Sequence, residues 1–259
     1  MTSHKTSIIP RIISASVLGT LTLLASVAQS ANITWGAAQQ ISGSGDVSTT
    51  GALIGGFNVG GTGVPSTVVN GVTFQSFAAP GGNGSSGNIT MTAGGGVFDS
   101  NTGGASPNPP FSGLPAGYQT LLSSFVVPLF GPATLTMSGL VVGMQYQFQF
   151  WSNNSSDRFG YTITATAGNS VGLSSNTSFA EGGLGEWVIG SFTADAATQQ
   201  ITFSGDGDGG FLNGFQLRQL VPPTNQVPET GSSLALLAGA MAGLALLHRS
   251  VSRKPSALS

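Results

Sequence analysis

Polar and apolar residues alternate with a period of two through the second half of the chain. In "ATLTMSG", Leu135 and Met137 fall on one face and Thr134, Thr136 and Ser138 on the other. In "QYQFQFW", Tyr146, Phe148 and Phe150 point one way, and Gln145, Gln147, Gln149 and Trp151 the other. "YTITATA" sets Tyr161, Ile163 and Ala165 against three threonines, and "EWVIGSFTA", "QQITFSG" and "NGFQLRQL" supply further short strands. Alternation carried by β-branched and aromatic residues, and broken by Gly, Asn and Asp, predicts strands with one face on a core and one in water. Several such strands in succession, with no helical segment between them, predict a β-sandwich.

The first half is less regular. Thr67-Val68-Val69 and Val72-Thr73-Phe74 flank Asn70-Gly71, which predicts a hairpin closed by a type I′ turn. Glycine makes up 40 of 259 residues and is dense from Ala79 to Gly117. That stretch resists helix and offers little apolar surface, so it reads as a long loop holding one short strand, Asn88 to Ala93. No repeat of fixed period and no second domain is evident.

Both ends of the chain break this pattern. At the N-terminus Lys5 and Arg11 precede a mostly apolar run, Ile12 to Val27, and a small-x-small site, Ala28-Gln29-Ser30. This is the layout of a secretory signal peptide over residues 1–30, with cleavage between Ser30 and Ala31. Near the other end, Leu234 to Leu247 contains only Leu, Ala, Gly and Met, and His248, Arg249, Arg253 and Lys254 come after it. As a helix rising ~1.5 Å per residue this run spans roughly 21 Å, short of the ~30 Å hydrocarbon core. In an exported chain it can stop transfer, with its basic flank on the cytoplasmic side.

The stretch "VPETGSSLALLAGAMAGLALLHR" resembles the PEP-CTERM sorting signal of bacterial exported proteins. Val227, Pro228 and Glu229 match its motif and Ser232 to Leu237 its helix entry, while the basic end is interrupted, His248-Arg249-Ser250, where the family has an Arg cluster. Thr230 departs from it where many members carry a second Pro. The resemblance implies processing by an exosortase, a membrane-embedded cysteine protease-transpeptidase, after export by the Sec machinery and signal peptidase. Val227 to Gly231 also resembles the Leu-Pro-x-Thr-Gly motif of Gram-positive sortase substrates, except at its first residue. Gly239 and Gly243 form a GxxxG pair, expected by chance in so small-residue-rich a run. The organisation expected is a signal peptide (1–30), one β-sandwich (31–220), a linker (221–226) and a sorting signal (227–254) with a transmembrane helix at 234–247.

Between Ala31 and Gln226 stand eight acids (Asp46, Asp99, Asp157, Glu181, Glu186, Asp195, Asp206, Asp208) and two bases (Arg158, Arg218), a net charge of −6. His, Lys and Cys are absent from this region. It therefore holds no Ser-His-Asp triad, thiol nucleophile, Schiff-base lysine or His/Cys zinc site. Paired carboxylates or a hard cation such as calcium are the chemistries left. Two separated arginines on an acidic domain exclude a nucleic-acid footprint.

From Leu122 to Leu220 the chain resembles the jelly-roll ectodomains of PEP-CTERM proteins, and "FLNGFQLR" is similar to the last strand of galactose-binding-like and carbohydrate-binding-module sandwiches. The expected fold is thus all-β, a single β-sandwich of the jelly-roll or galactose-binding-like kind. Trp151, beside Asn153 and Asn154, falls on the polar face and could stack on a sugar ring whose hydroxyls those amides hold. The competing reading is that strand twist turns Trp151 into the core, as expected for Trp187. Asp206 and Asp208, two apart in "SGDGDGG", could aim carboxylates at calcium, or simply form a solvated turn. Glu181 and Glu186 bracket "GGLG" as a formal glycosidase pair, a weak one because loop carboxylates are usually just hydrated. The function expected is a non-enzymatic surface or matrix protein associated with exopolysaccharide. A carbohydrate-binding module with a specific glycan is the alternative, and a glycoside hydrolase a distant one.

Overall fold

The computed structural model describes residues 30–206 and 209–220. In chain order its strands are β1 (Thr34–Trp35), β2 (Gln39–Gln40), β3 (Ala52–Gly60), β4 (Thr67–Val69), β5 (Val72–Ala78), β6 (Gly84–Ser86), β7 (Ile89–Ala93) and β8 (Val97–Ser100). One α-helix, α1 (Ala116–Ser123), leads into β9 (Phe125–Pro128), β10 (Ala133–Ser138), β11 (Gln145–Ser152) and β12 (Thr162–Ala167). The last four are β13 (Asn169–Ser174), β14 (Glu186–Thr193), β15 (Thr198–Gly205) and β16 (Gly214–Gln219). The architecture is all-β, with two large sheets facing each other across one core.

The larger sheet runs β1-β14-β11-β16-β3-β5-β4, with β2 also on β14; the smaller runs β13-β12-β15-β10-β7-β6. From β10 onward the chain crosses between sheets at every connection except the β12–β13 hairpin. Strands adjacent in sequence therefore face each other rather than pair, and the core closes only when both sheets are assembled. All pairings are antiparallel except that of β3 with β5. The Asn70-Gly71 turn is as expected, with φ of 51° and 74° and Val69 opposite Val72.

The inward residues predicted for β10 to β12 lie between the sheets, joined by others from β3, β14, β15 and β16; Tyr161 is the exception, packing against a separate cluster. Phe57, Tyr146, Phe148, Phe150, Val188 and Phe215 meet Leu135, Met137, Ile163, Ala165, Ile201 and Phe203. Ring contacts run through it, Phe150 on Phe203 at 5.3 Å and Phe148 on Phe215 at 5.7 Å. Each such side chain contributes roughly 1.5–3 kcal/mol on full burial. In a domain without cysteine, this packing carries the stability.

Two expectations are corrected. Ala79 to Gly117 is not a loop with one strand: besides β7 it forms β6 and β8, and α1 begins at Ala116. β6 (Gly84–Ser86) has no apolar residue and β8 (Val97–Ser100) is too short to show alternation, so backbone pairing with β7 and β9 is what holds them. The second correction concerns the wet face of β11. Helix α1 and the segment around Ile41 to Val47 lie over the outer side of the larger sheet and enclose a second core. Val72, Phe74, Tyr118, Leu121, Leu122 and Trp151 belong to it. Residues Tyr146 to Ser152 are consequently buried on both sides.

The ends of the sandwich differ. Gln145 pairs with Thr193, Leu220 donates its N–H to the Gln145 carbonyl, and Gln199 Nε2 donates to the Ala31 carbonyl. Both ends of the domain thus meet at one pole. The opposite, distal pole carries Ser152, Gly185, Gly205 and Gly214, closed by the β8–β9 pair and a bridge between Val126 and Leu212. There backbone approaches side-chain distance: a Cβ on Gly185 would sit 2.0 Å from the Ser152 carbonyl oxygen and 2.7 Å from that of Ser175. Gly185→Ala is expected to destabilise the domain by about 3 kcal/mol or more, the upper range for overpacking. Urea titration against the parent chain checks this, and a loss under about 1 kcal/mol would contradict the packing described.

Candidate functional site

Trp151 does not reach the surface. It is 0% exposed, packs edge-on to Phe74 at 5.5 Å, and donates its indole N–H to the Tyr118 hydroxyl at 2.9 Å. Tyr118 donates in turn to Asp46 Oδ2 at 2.9 Å. The Asp46 carboxylate also accepts from the backbone N–H groups of Ser42 and Gly43 and from the Ser42 hydroxyl. Beside this triad the glutamines expected in water form a buried ladder. Gln149 Nε2 donates to the Asp46 carbonyl at 2.6 Å, Gln216 Nε2 to Gln149 Oε1 at 2.6 Å, and Arg218 Nε to Gln216 Oε1 at 3.0 Å. Arg218 Nη1 donates to the Gly51 carbonyl, and burial lowers the guanidinium pKa. For Tyr118, burial and then the neighbouring Asp46 charge raise the phenol pKa well above its ordinary value.

Asn153 and Asn154 are buried as well, which removes all three proposed glycan contacts from the surface. Asn153 Oδ1 accepts from the Gly185 N–H at 3.0 Å, and its Nδ2 donates to the Ser155 hydroxyl at 3.1 Å. Asn154 Oδ1 accepts from the Ser156 hydroxyl at 2.8 Å. Asn213 donates to the carbonyls of Leu122, Ser124 and Asn153, and accepts from the Asn153 N–H. These amides replace regular pairing where the strands of the distal pole end, satisfying buried backbone groups that would otherwise be stranded.

The carboxylates hold turns. Asp206 is exposed; its Oδ2 accepts from the Thr162 N–H at 3.0 Å, and its own N–H donates to the Gly209 carbonyl. Asp208 lies outside the described residues, and among the described residues no three His, Cys, Asp or Glu gather as a metal site. Glu186 Oε2 accepts from the Ser174 N–H at 2.7 Å, bracing β13 against β14, while Glu181 is an exposed turn residue. Ser30 and Ala31 are part of the sandwich edge: Ser30 Oγ accepts from the Gln200 N–H and Ala31 is buried. Val227, Pro228, Glu229 and the 234–247 run lie outside the described residues. Among the described residues no helix is long and apolar enough to cross a membrane.

What the distal pole does present is aromatic. Five rings run in contact from Phe98 through Phe125, Phe211 and Tyr161 to Phe159, at centroid steps of 5.8, 4.7, 5.9 and 5.9 Å. Phe125 and Phe211 are buried and anchor the row, whereas Phe98 is 55% and Phe159 60% exposed. Tyr161 lies over Gly209, where a Cβ would come within 3.1 Å of the ring. The Asp206 turn stands beside it. Pattern reading missed Phe98 and Phe159 because each sits among Gly, Asn and Asp. A large apolar residue in such a segment was the available signal.

No family model and no curated protein matches the chain. Among solved structures, an exo-β-1,3-galactanase from Phanerochaete chrysosporium with β-1,3-galactotriose is similar at 18% identity. That match has a TM-score of 0.28 and covers 51% of this chain and 29% of that one. The same enzyme with galactose gives a TM-score of 0.26 at 18% identity, over 52% of this chain and 30% of that one. A structure described as carbohydrate-binding modules from the β-sandwich superfamily is 13% identical over 54% of this chain and 66% of that one, with a TM-score of 0.14. The chain spans under a third of the galactanase's length.

The buried phenol sets an alkaline limit. An unfolded tyrosine ionises from about pH 10; folded Tyr118, its pKa raised, keeps its proton to higher pH. Its contribution is complete below pH 10 and is lost as pH rises toward the folded pKa, because the unfolded state then binds fewer protons. Tyr118→Phe should cost about 1–3 kcal/mol near neutrality, leaving Asp46 and Trp151 short of a partner. It should also flatten the stability decline above about pH 10. Urea midpoints between neutral and strongly alkaline pH measure both, and an alkaline limb of unchanged steepness in the variant would contradict this assignment.

Proposed function

We propose that this is an exported, non-catalytic surface or matrix protein that associates with extracellular polysaccharide through its distal pole. The row of rings ending in exposed Phe98 and Phe159 carries the reading. Flat apolar rings held rigid by buried neighbours suit the C–H faces of sugars, at little ordering cost. The row lies opposite the pole where residues 31 and 220 meet. A domain tethered through the chain beyond residue 220 would therefore face outward with its rings. A fold of the jelly-roll, galactose-binding-like kind belongs to the same proposal. A carbohydrate-binding module with one specific glycan differs from it only in selectivity at this pole.

The catalytic alternative has little support. The region from 31 to 226 has no His, Cys or Lys, and Glu186 is committed to the β13 backbone. Export, exosortase cleavage and a passing attachment to the inner membrane complete the proposal, resting on the terminal segments and their resemblance to PEP-CTERM signals.

Two measurements test it. Phe159→Ala, a surface change worth within about 0.5 kcal/mol of stability, should reduce retention of the purified full chain in polysaccharide affinity gels. Retention equal to the parent would remove the pole from the proposal. Intact mass of the protein recovered from its host should place the first residue near Ala31 and show loss of Leu234 to Ser259. A chain still carrying Leu234 to Leu247 would overturn the sorting assignment, and an end at Thr230 would favour a sortase.

A further inference from the structure

On the β4–β6 side, β3, β5 and β16 of the larger sheet face the β6–β7 turn and the end of β10 in the smaller one. A pocket of about 200 Å³ remains between them. Its floor is apolar, made by Phe57, Ile89 and Leu217. Its rim is uncharged and polar: Gln75 from β5, Ser86 and Asn88 from the β6–β7 turn, and Ser138 from β10. Among the described residues none of these four side chains has a hydrogen-bond partner.

The backbone is shaped around the opening. Leu217 pairs with Gly55 and Arg218 with Leu53, so Ile54 is the extra residue of a β-bulge. A bulge re-aims its side chain, and bulges gather beside binding sites. Ile54 forms one wall of the pocket and stays 52% exposed. Gly55 is bare for a reason: a Cβ there would stand 2.6 Å from the Phe57 ring. The ring thus lies along its own strand beside Gly55.

We infer that this pocket binds a single free neutral monosaccharide. With no charged side chain in its lining, it offers no partner for an ion, and the net charge of −6 on the domain disfavours anions. An apolar floor under hydroxyl and amide groups complements a pyranose, which has a C–H face and a hydroxyl edge. The choice of a sugar over another neutral ring rests on the glycan-associated reading above, whereas the pocket is separate from the distal pole.

Titration of the isotope-labelled full chain with glucose, galactose, mannose and N-acetylglucosamine, followed by NMR, tests this. At least one sugar should shift the side-chain amide signals of Gln75 and Asn88 saturably, with a Kd on the order of millimolar. The double variant Gln75→Ala/Asn88→Ala should weaken that binding by about tenfold, roughly 1.4 kcal/mol. Phe159→Ala should leave the monosaccharide titration intact, and the double variant should leave polysaccharide retention intact, so that failure of either site is distinguishable. Shifts that map elsewhere, an unchanged affinity in the folded double variant, or saturation by benzyl alcohol but by none of the sugars would overturn the assignment.

Discussion

Strand β11 has no face left for water, and the rest of the structure depends on that. One side of it packs Tyr146, Phe148 and Phe150 into the inter-sheet core; the other lies under α1 and the segment around Asp46. Gln147, Gln149 and Trp151 then have to find partners inside the protein, since an unpaired buried polar group costs about 1–3 kcal/mol. They find them in Ser48, Gln216, the Asp46 carbonyl and the Tyr118 hydroxyl. This pairing fixes where α1 and the N-terminal segment sit. It also accounts for the few charges the domain keeps inside: Asp46 is held by four donors, and Arg218 is spread over neutral acceptors.

The distal pole results from the same constraint. Where strands end, Asn153, Asn154 and Asn213 bond to backbone and neighbouring hydroxyls in place of a ladder, which is why amides beside a tryptophan mark a structural clamp here rather than a ligand site. With the amides turned inward, the rings exposed at this pole include Phe98 and Phe159, linked through buried Phe125 and Phe211. The acidic side chains hold turns, as Asp206 does for β12 and Glu186 for β13.

Much of the second half was legible in the residues. The alternating runs became β10, β11, β12, β14, β15 and β16, and the inward residues assigned to the first three are in the core, apart from Tyr161. Asn70-Gly71 closes its hairpin because only residues tolerant of positive φ fit that turn. The glycine-rich stretch was not legible: β6 has no apolar residue to show a pattern, and β8 is too short to alternate and pairs with β9 from beyond α1. Trp151 does lie on the side of β11 that it shares with Gln147 and Gln149, but that side is covered by α1 instead of being wet. Period two tells which side of a strand a residue occupies and nothing about what covers that side.

By itself the sequence determined the all-β class, the inward residues of β10 and β11, and the exclusion of His-, Cys- and Lys-based chemistry, since these depend on local periodicity and on what is simply absent. Tertiary structure alone decided that the glutamine face is dry, that Trp151 and its asparagines are internal, and that Phe98 and Phe159 share one pole. Each of these depends on segments far apart in the chain being brought together. Asp46 and Tyr118 come from regions distant from β11, and Phe98 meets Phe159 only through rings contributed by β9 and by the segments before β12 and β16. Burial is a property of pairs of surfaces, and one strand's pattern specifies only its own half.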